Sequence, residues 1–307
     1  MESLYKKYLE LLDIKNIPDF LHEYLETPSI KRLKGIGYFC GMDYASKNIY
    51  DFGEYISRFD HSLSTALLTW KYTHDKTMTL ASLFHDVATP CFSHVIDYMN
   101  NDYITQESTE QYVDQILNFD HEFKRLIQRD DILFDDICNF KKYTLVDNER
   151  PKMCFDRLDG IILTGLFWSK ELDIKTVKSI LDNTYIAKNE FTEVEIAFKS
   201  LKIGKILIDT NSHINELCHS IEDIYMMNLL AKLTKKAIEI GLIDYSSLYQ
   251  MSEMEILEEL KKCENRTIKN YYTKFKNIKK GEIPKMDLPV IKNRKIAPII
   301  AGKRMEV

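Results

Sequence analysis

Two histidine–aspartate neighbourhoods stand close together in the first third of the chain. The stretch RFDHS, residues 58–62, holds Arg58, Asp60 and His61, and FHDVATPCFSH, residues 84–94, holds His85, Asp86 and His94. Histidine is scarce, with eight in 307 residues, so this span concentrates the side chain that offers neutral nitrogen ligands near neutral pH. A divalent ion that activates water needs such imidazoles, a carboxylate or two, and positions left open for water and substrate. An adjacent His-Asp pair near a helix end can direct two unlike ligands at one ion. A histidine from the preceding antiparallel helix then completes one side. The remaining carboxylate has to come from further along, and FDRLDG, residues 155–160, offers Asp156, followed by Arg157 and Asp159. Pro151 is placed to open that helix, with Asp156 one turn inside.

The elements that position these residues read as helices. ESLYKKYLELLD puts Leu4, Tyr8 and Leu11 on one face, and similar stripes recur from about 106 to 128 and from 190 to 240. No proline falls between 152 and 283, which leaves room for several long helices. Gly35, Gly37 and Gly41 punctuate KGIGYFCGM, a loop leading into a helix over 59–75. Strand-like exceptions are few: LPVIKNRKIAPII at 288–300 and a short hairpin around 184–193. The expected fold is all-α with minor short β segments toward the C-terminus. The expected organisation is a helical core over residues 1–240 and a C-terminal helical and extended segment over 241–307.

Composition narrows the function classes. A hydrophobic share of 45% supports one large core or two modest ones. A net charge of −5 argues against a whole-molecule electrostatic grip on nucleic acid, which is not the expected partner. One local basic stretch, 261–285, interleaves Lys269, Lys274 and Lys276 with Tyr271, Tyr272 and Phe275, and reads first as a solvated helix face. The longest apolar runs, such as IILTGLFW at 161–168, are far short of a membrane span. With no leader-like segment, the expected location is the cytoplasm. Six scattered cysteines without a CxxC pair read as reduced packing residues.

Taken together, R-x-x-H-S at 58–62, H-D followed by F-S-H at 85–94, and D-R-L-D at 156–159 resemble the HD-domain superfamily of metal-dependent phosphohydrolases, nearest its deoxynucleoside triphosphate triphosphohydrolase branch. The resemblance implies His61, His85, Asp86 and Asp156 as ligands of a divalent ion (Mn, Fe, Co, Ni, Zn or Mg). It places Arg58 and Arg157 to hold phosphate, with Asp159 behind the ligands. It also implies that metal-activated water attacks phosphorus, with Asp86 binding the ion and holding the water. His94 reads as a group behind the ligands, a substrate contact or a packing residue, and as a substitute acid where it turns toward the metal. A nucleotide or another small phosphate ester is the implied substrate, and homo-oligomerisation is left open. Departures from the branch are specific. Thr89 and Gln106 stand where it carries histidines, with Glu107 a weak acidic candidate beside them, and Gly160 replaces a tyrosine. The competing expectation is a nucleotide or second-messenger binding protein that retains the ion and lacks turnover. His22, His74, His121, His213 and His219 read as ordinary surface or packing residues.

Overall fold

The computed structural model describes residues 3–106 and 111–306. Its helices, in chain order, are α1 (Leu4–Leu11), α2 (Asp19–Leu25), α3 (Pro28–Arg32), α4 (Arg58–Thr73), α5 (Lys76–Phe84), α6 (Val95–Met99), α7 (Val113–Phe119), α8 (His121–Arg129), α9 (Phe134–Cys138), α10 (Phe155–Phe167), α11 (Ile174–Asn183), α12 (Leu201–Cys218), α13 (Ile221–Glu239), α14 (Glu253–Lys262) and α15 (Arg266–Asn277). Strands β1 (Thr184–Lys188) and β2 (Val194–Phe198) form the expected hairpin. Two further short strands, β3 (Ile299–Ile300) and β4 (Lys303–Arg304), complete a sheet of order β1-β2-β3-β4, with β3 parallel to β2. The fold is therefore predominantly helical, as the periodicity indicates.

Local chemistry explains where the central helices begin. Ser57 and Asp60 close a capping box at the start of α4: Ser57 Oγ accepts from Asp60 N at 3.2 Å, and Asp60 Oδ2 accepts from Ser57 N at 2.8 Å. At the other end His74 adopts a left-handed conformation, φ 51°, and Asp75 caps α5 by accepting from Met78 N at 2.8 Å. That two-residue connection folds α4 and α5 into an antiparallel hairpin. The second partner of α4 is α10, and Ala66, Leu67, Leu68, Leu80, Leu83, Phe84, Leu158 and Ile162 are all buried. Each such leucine or phenylalanine contributes about 1.5–3 kcal/mol on burial.

Four expectations need correction. The stripe at 106–128 is two helices, because Asp120 accepts from Phe123 N at 2.9 Å and starts α8 anew. Residues 107–110, including Glu107, lie outside the described residues. The stripe expected from 190 begins as strand β2, with helix resuming only at Leu201. Of the run at 288–300 only Ile299–Ile300 pairs as strand. Before it the backbone bonds to separate parts of the molecule, Lys292 N to Tyr103 O and Ala297 N to Pro151 O, so the segment lies across the helices as a tail. Pro151 does not open α10: the helix starts at Phe155 after the extended cap residue Cys154, and Asp156 is its second residue.

Candidate metal centre

His61 lies one turn into α4, His85 ends α5, Asp86 follows it, and Asp156 sits in the first turn of α10. Ligand atoms of His61, His85 and Asp86 all lie within 4.8 Å of one another, and all three residues are buried. Asp86 Oδ2 stands 3.9 Å from Nε2 of each imidazole. Asp156 Oδ1 stands 2.9 Å from His61 Nε2 and 3.5 Å from His85 Nε2. Four donors of two kinds thus face one point from three elements, and the α10 N-terminus favours the carboxylate it carries.

The groups behind the ligands settle which nitrogen faces the centre. His85 Nδ1 donates to the Ser82 carbonyl at 2.6 Å, so in the neutral ring Nε2 carries the lone pair; that atom is buried and has no hydrogen-bond partner among the described residues. A buried orphan acceptor is costly unless something electrophilic occupies the space before it. His61 Nδ1 donates to Asp159 Oδ2 at 2.7 Å. Asp159 is fully buried and also accepts from Ser64 Oγ at 2.9 Å and Tyr8 Oη at 2.6 Å. This carboxylate–imidazole arrangement fixes the tautomer of a metal-ligating histidine. The residues present therefore fit a divalent cation. Asp147, Cys154 and Asp156 form a second group within 4.8 Å that shares Asp156.

Electrostatics agree with that fit. Burial opposes a proton on His61, but its hydrogen bonds to Asp156 and Asp159 outweigh burial and raise its pKa to about 10. His85 is also raised against burial, by Asp86 and Asp156. Burial works against ionising Asp86, yet Arg58 and then His85 and His61 hold it well below the usual carboxylate range. Without metal, protons supply the positive charge that this cluster requires.

Arg58 does not pair with Asp60, which the capping box occupies. Its Nη1 donates to Asp86 Oδ2 at 2.8 Å and its guanidinium lies over the Tyr38 ring at 5.0 Å. Arg157 is turned to its own loop, donating to Asn148 Oδ1 and O at 2.7 Å each and to the Lys152 carbonyl. His94 Nδ1 donates to Asp97 Oδ2 at 2.9 Å, and burial lowers its pKa. Thr89 Oγ1 donates to Asp86 Oδ1 at 3.2 Å, and Gln106 Oε1 accepts from Arg294 Nη2 at 2.6 Å. The loop that carries His94 has two consecutive left-handed residues, Phe92 (φ 66°) and Ser93 (φ 47°). Glu253 at the start of α14 steadies it, accepting from Phe92 N at 2.8 Å and from Gly37 N at 3.0 Å.

The centre opens into a cavity of about 980 Å³. Its lining includes Arg58, His94 and Arg157, but also residues that the motif reading missed: Arg150, Asp147, Tyr38 and Arg294. Burial, then repulsion from Arg157 and Arg294, pushes Arg150 down to about 9. An aromatic side chain reaches the position vacated at Gly160 from elsewhere in the chain, since a Cβ there would lie 3.0 Å from Tyr38 Oη. The glycine-flanked Tyr38-Phe39 pair is the one local signal that could have flagged this wall. Arg150 and Arg294 carry no spacing signal, because separate loops bring them together.

No protein-family model matches the chain. The chain is similar to the uncharacterized protein YdhJ of Bacillus subtilis (strain 168), 23% identical over 281 residues that cover 86% of this chain and 79% of that protein.

Proposed function

We propose that this protein is a metal-dependent phosphohydrolase of the HD-domain superfamily, acting on a nucleotide or another small phosphate ester. The observation that carries the reading is the buried, unpartnered Nε2 of His85, aimed at His61, Asp86 and Asp156 on the floor of a cavity with a cationic wall. His61, His85, Asp86 and Asp156 would hold the ion. When bound, a divalent ion polarises a phosphate oxygen and lowers the pKa of a water toward about 7. Arg58 keeps Asp86 ionised, and among the described residues its Nη2 has no hydrogen bond, which leaves it for a phosphoryl oxygen. Arg150 adds charge that an anion would relieve. His94, which lines the same cavity and is held by Asp97, is a candidate for moving a proton.

A second reading, a binding protein with little turnover, is favoured by the fate of the two departure positions. Thr89 is tied to Asp86 and Gln106 to Arg294, so neither can handle a proton. One experiment separates the readings: metal analysis of the purified protein, then nucleoside mono-, di- and triphosphates with Mn²⁺, Co²⁺, Ni²⁺ and Mg²⁺, measuring released phosphate, pyrophosphate and triphosphate. Metal-dependent release supports the first reading. Nucleotide binding with no release under any ion supports the second, and protein that binds neither metal nor nucleotide refutes both.

A further inference from the structure

The cavity has a second end. From His61 an aromatic wall runs through Tyr38 (ring centroids 5.0 Å apart), Phe39 (5.3 Å from Tyr38), Phe52 (4.1 Å from Phe39, parallel) and Tyr50 (5.5 Å from Phe52). At its end Tyr50 Oη donates to Asp223 Oδ1 at 2.7 Å. All of these residues line the cavity. Asp223 is 9% exposed and makes no ion pair among the described residues.

The place of Asp223 in its helix makes its orientation informative. Ser220 caps α13 and accepts from Asp223 N at 3.2 Å, so Asp223 stands where an acidic side chain would normally reach back to close a capping box. Ser57 with Asp60, and Ser252 with Glu255, close such boxes in this same chain. Asp223 forgoes that bond and turns into the cavity, where Oδ2 has no protein donor among the described residues. A carboxylate oxygen on the wall of a half-enclosed cavity takes its donor from whatever fills that cavity, water or a ligand. Burial raises its pKa to about 7 despite Tyr50 and the nearby Arg294 charge, which marks the same shortfall.

We propose that Asp223 is the specificity-determining residue of this cavity, accepting a hydrogen bond from the N–H edge of a nucleobase whose ring lies along the aromatic wall while its phosphates face the metal centre. The proposal rests on the nucleotide reading above and sharpens it. Aromatic faces bind any base without discrimination. A hydrogen bond to a buried carboxyl oxygen discriminates, because an analogue without the donor leaves that oxygen unpaired. Guanine, with a ring N–H and an amino group, hypoxanthine, with the ring N–H alone, and unsubstituted purine, with neither on that edge, distinguish the possible sources of the donor.

The test is binding by the intact protein in EDTA, so that hydrolysis plays no part, followed by calorimetry and tryptophan fluorescence. The ligands are GDP, IDP, purine riboside 5′-diphosphate and inorganic pyrophosphate. The expected result is that GDP or IDP binds about 10- to 100-fold more tightly than the purine analogue. Asp223→Ala should collapse that ranking to within about threefold and leave pyrophosphate binding unchanged. Tyr50→Phe, which removes only the hydroxyl, should narrow the ranking less and serves where Asp223→Ala folds poorly. A ranking that survives in Asp223→Ala, or wild-type protein that binds all three diphosphates equally, overturns the role of Asp223 and leaves the phosphohydrolase reading standing. Failure of every ligand, pyrophosphate included, both in EDTA and with Mn²⁺ restored, overturns the anion site beneath both.

Discussion

Replacing Asp159 by Asn tests whether the groups behind His61 exist to prepare a ligand. Asp159 accepts three hydrogen bonds with no exposure to solvent, from His61 Nδ1, Ser64 Oγ and Tyr8 Oη. Asparagine has one acceptor oxygen and one donor amide. If the oxygen faces His61, the imidazole keeps its tautomer but loses an anionic acceptor. If the amide faces His61, the ring must move its proton to Nε2 and cannot bind metal. Either outcome weakens metal affinity, by about 10- to 100-fold from comparable positions, or about 1.4–2.7 kcal/mol. Metal-free protein should lose about 1–3 kcal/mol of stability with the charge-assisted bonds. The assay is chelator competition for Mn²⁺ or Zn²⁺ at pH 7 and pH 9, with Ser64→Ala as a control that removes one neutral donor and should change affinity less than about threefold. Asp159 also raises the His61 pKa toward about 10, so at pH 7 an entering ion displaces a proton. Wild-type affinity should therefore rise with pH, and the deficit of Asp159→Asn should be larger at pH 9, where that competition fades. Equal affinities, within twofold, for wild type and Asp159→Asn at pH 9 would refute the reasoning.

His85→Ala should abolish metal binding with far-ultraviolet circular dichroism unchanged, since its loss removes one donor and no helix; full metal stoichiometry in the variant would remove His85 from the ligand set. Arg58→Lys keeps a charge near Asp86 but loses the planar fork, so metal content should hold while any phosphohydrolase turnover falls about 10- to 100-fold; unchanged turnover would show that Arg58 only neutralises Asp86. Glu253 gives a pH prediction. Burial raises it to about 8, against the pull of its two backbone donors, and Asp43 beside it is raised to about 7 by burial. Between about pH 4.5 and pH 8 the folded protein then binds more protons than the unfolded chain, so stability falls as pH rises through that window, by on the order of 5 kcal/mol for Glu253. Urea unfolding at pH 5.5 and pH 8.0 should show that slope shrinking in Glu253→Gln, and an unchanged slope would mean that Glu253 ionises normally.

The parts of the centre that could be read in the sequence are those fixed by local rules. Arg58, His61, His85 and Asp86 sit on a helical hairpin whose starts are written in Ser57-x-x-Asp60 and in Asp75, so their spacing implies their meeting. Asp156 could be chosen by residue type, yet its helix start was misjudged: Pro151 looked like an opener, while extended Cys154 does that job. Arg157 shows the limit of residue type, since its two Nη groups are taken by Asn148 and Lys152, partners set by how one loop closes. Arg150, Arg294, Tyr38 and Asp223 meet only through tertiary packing of segments far apart, and no periodicity records that. The tail at 288–298 failed as a strand because alternation describes a chain that is extended and half-buried without saying that a partner strand lies beside it.

That tail also sets an order of events during synthesis. All four metal-facing residues have been made once Asp156 is added, whereas Arg294 follows more than a hundred residues later and is anchored through Asn215 and the Ile299–Ile300 strand. At about 5–20 residues per second, the interval is roughly 7–28 s. A nascent chain thus has time to gather its histidines and aspartates around an ion before the last cationic side of the cavity arrives. On the proposed reading, the metal-facing residues, Arg58 and Arg150 are all made before the Arg294 side of the cavity is complete, so the cavity's last wall is added to a centre whose other groups already exist.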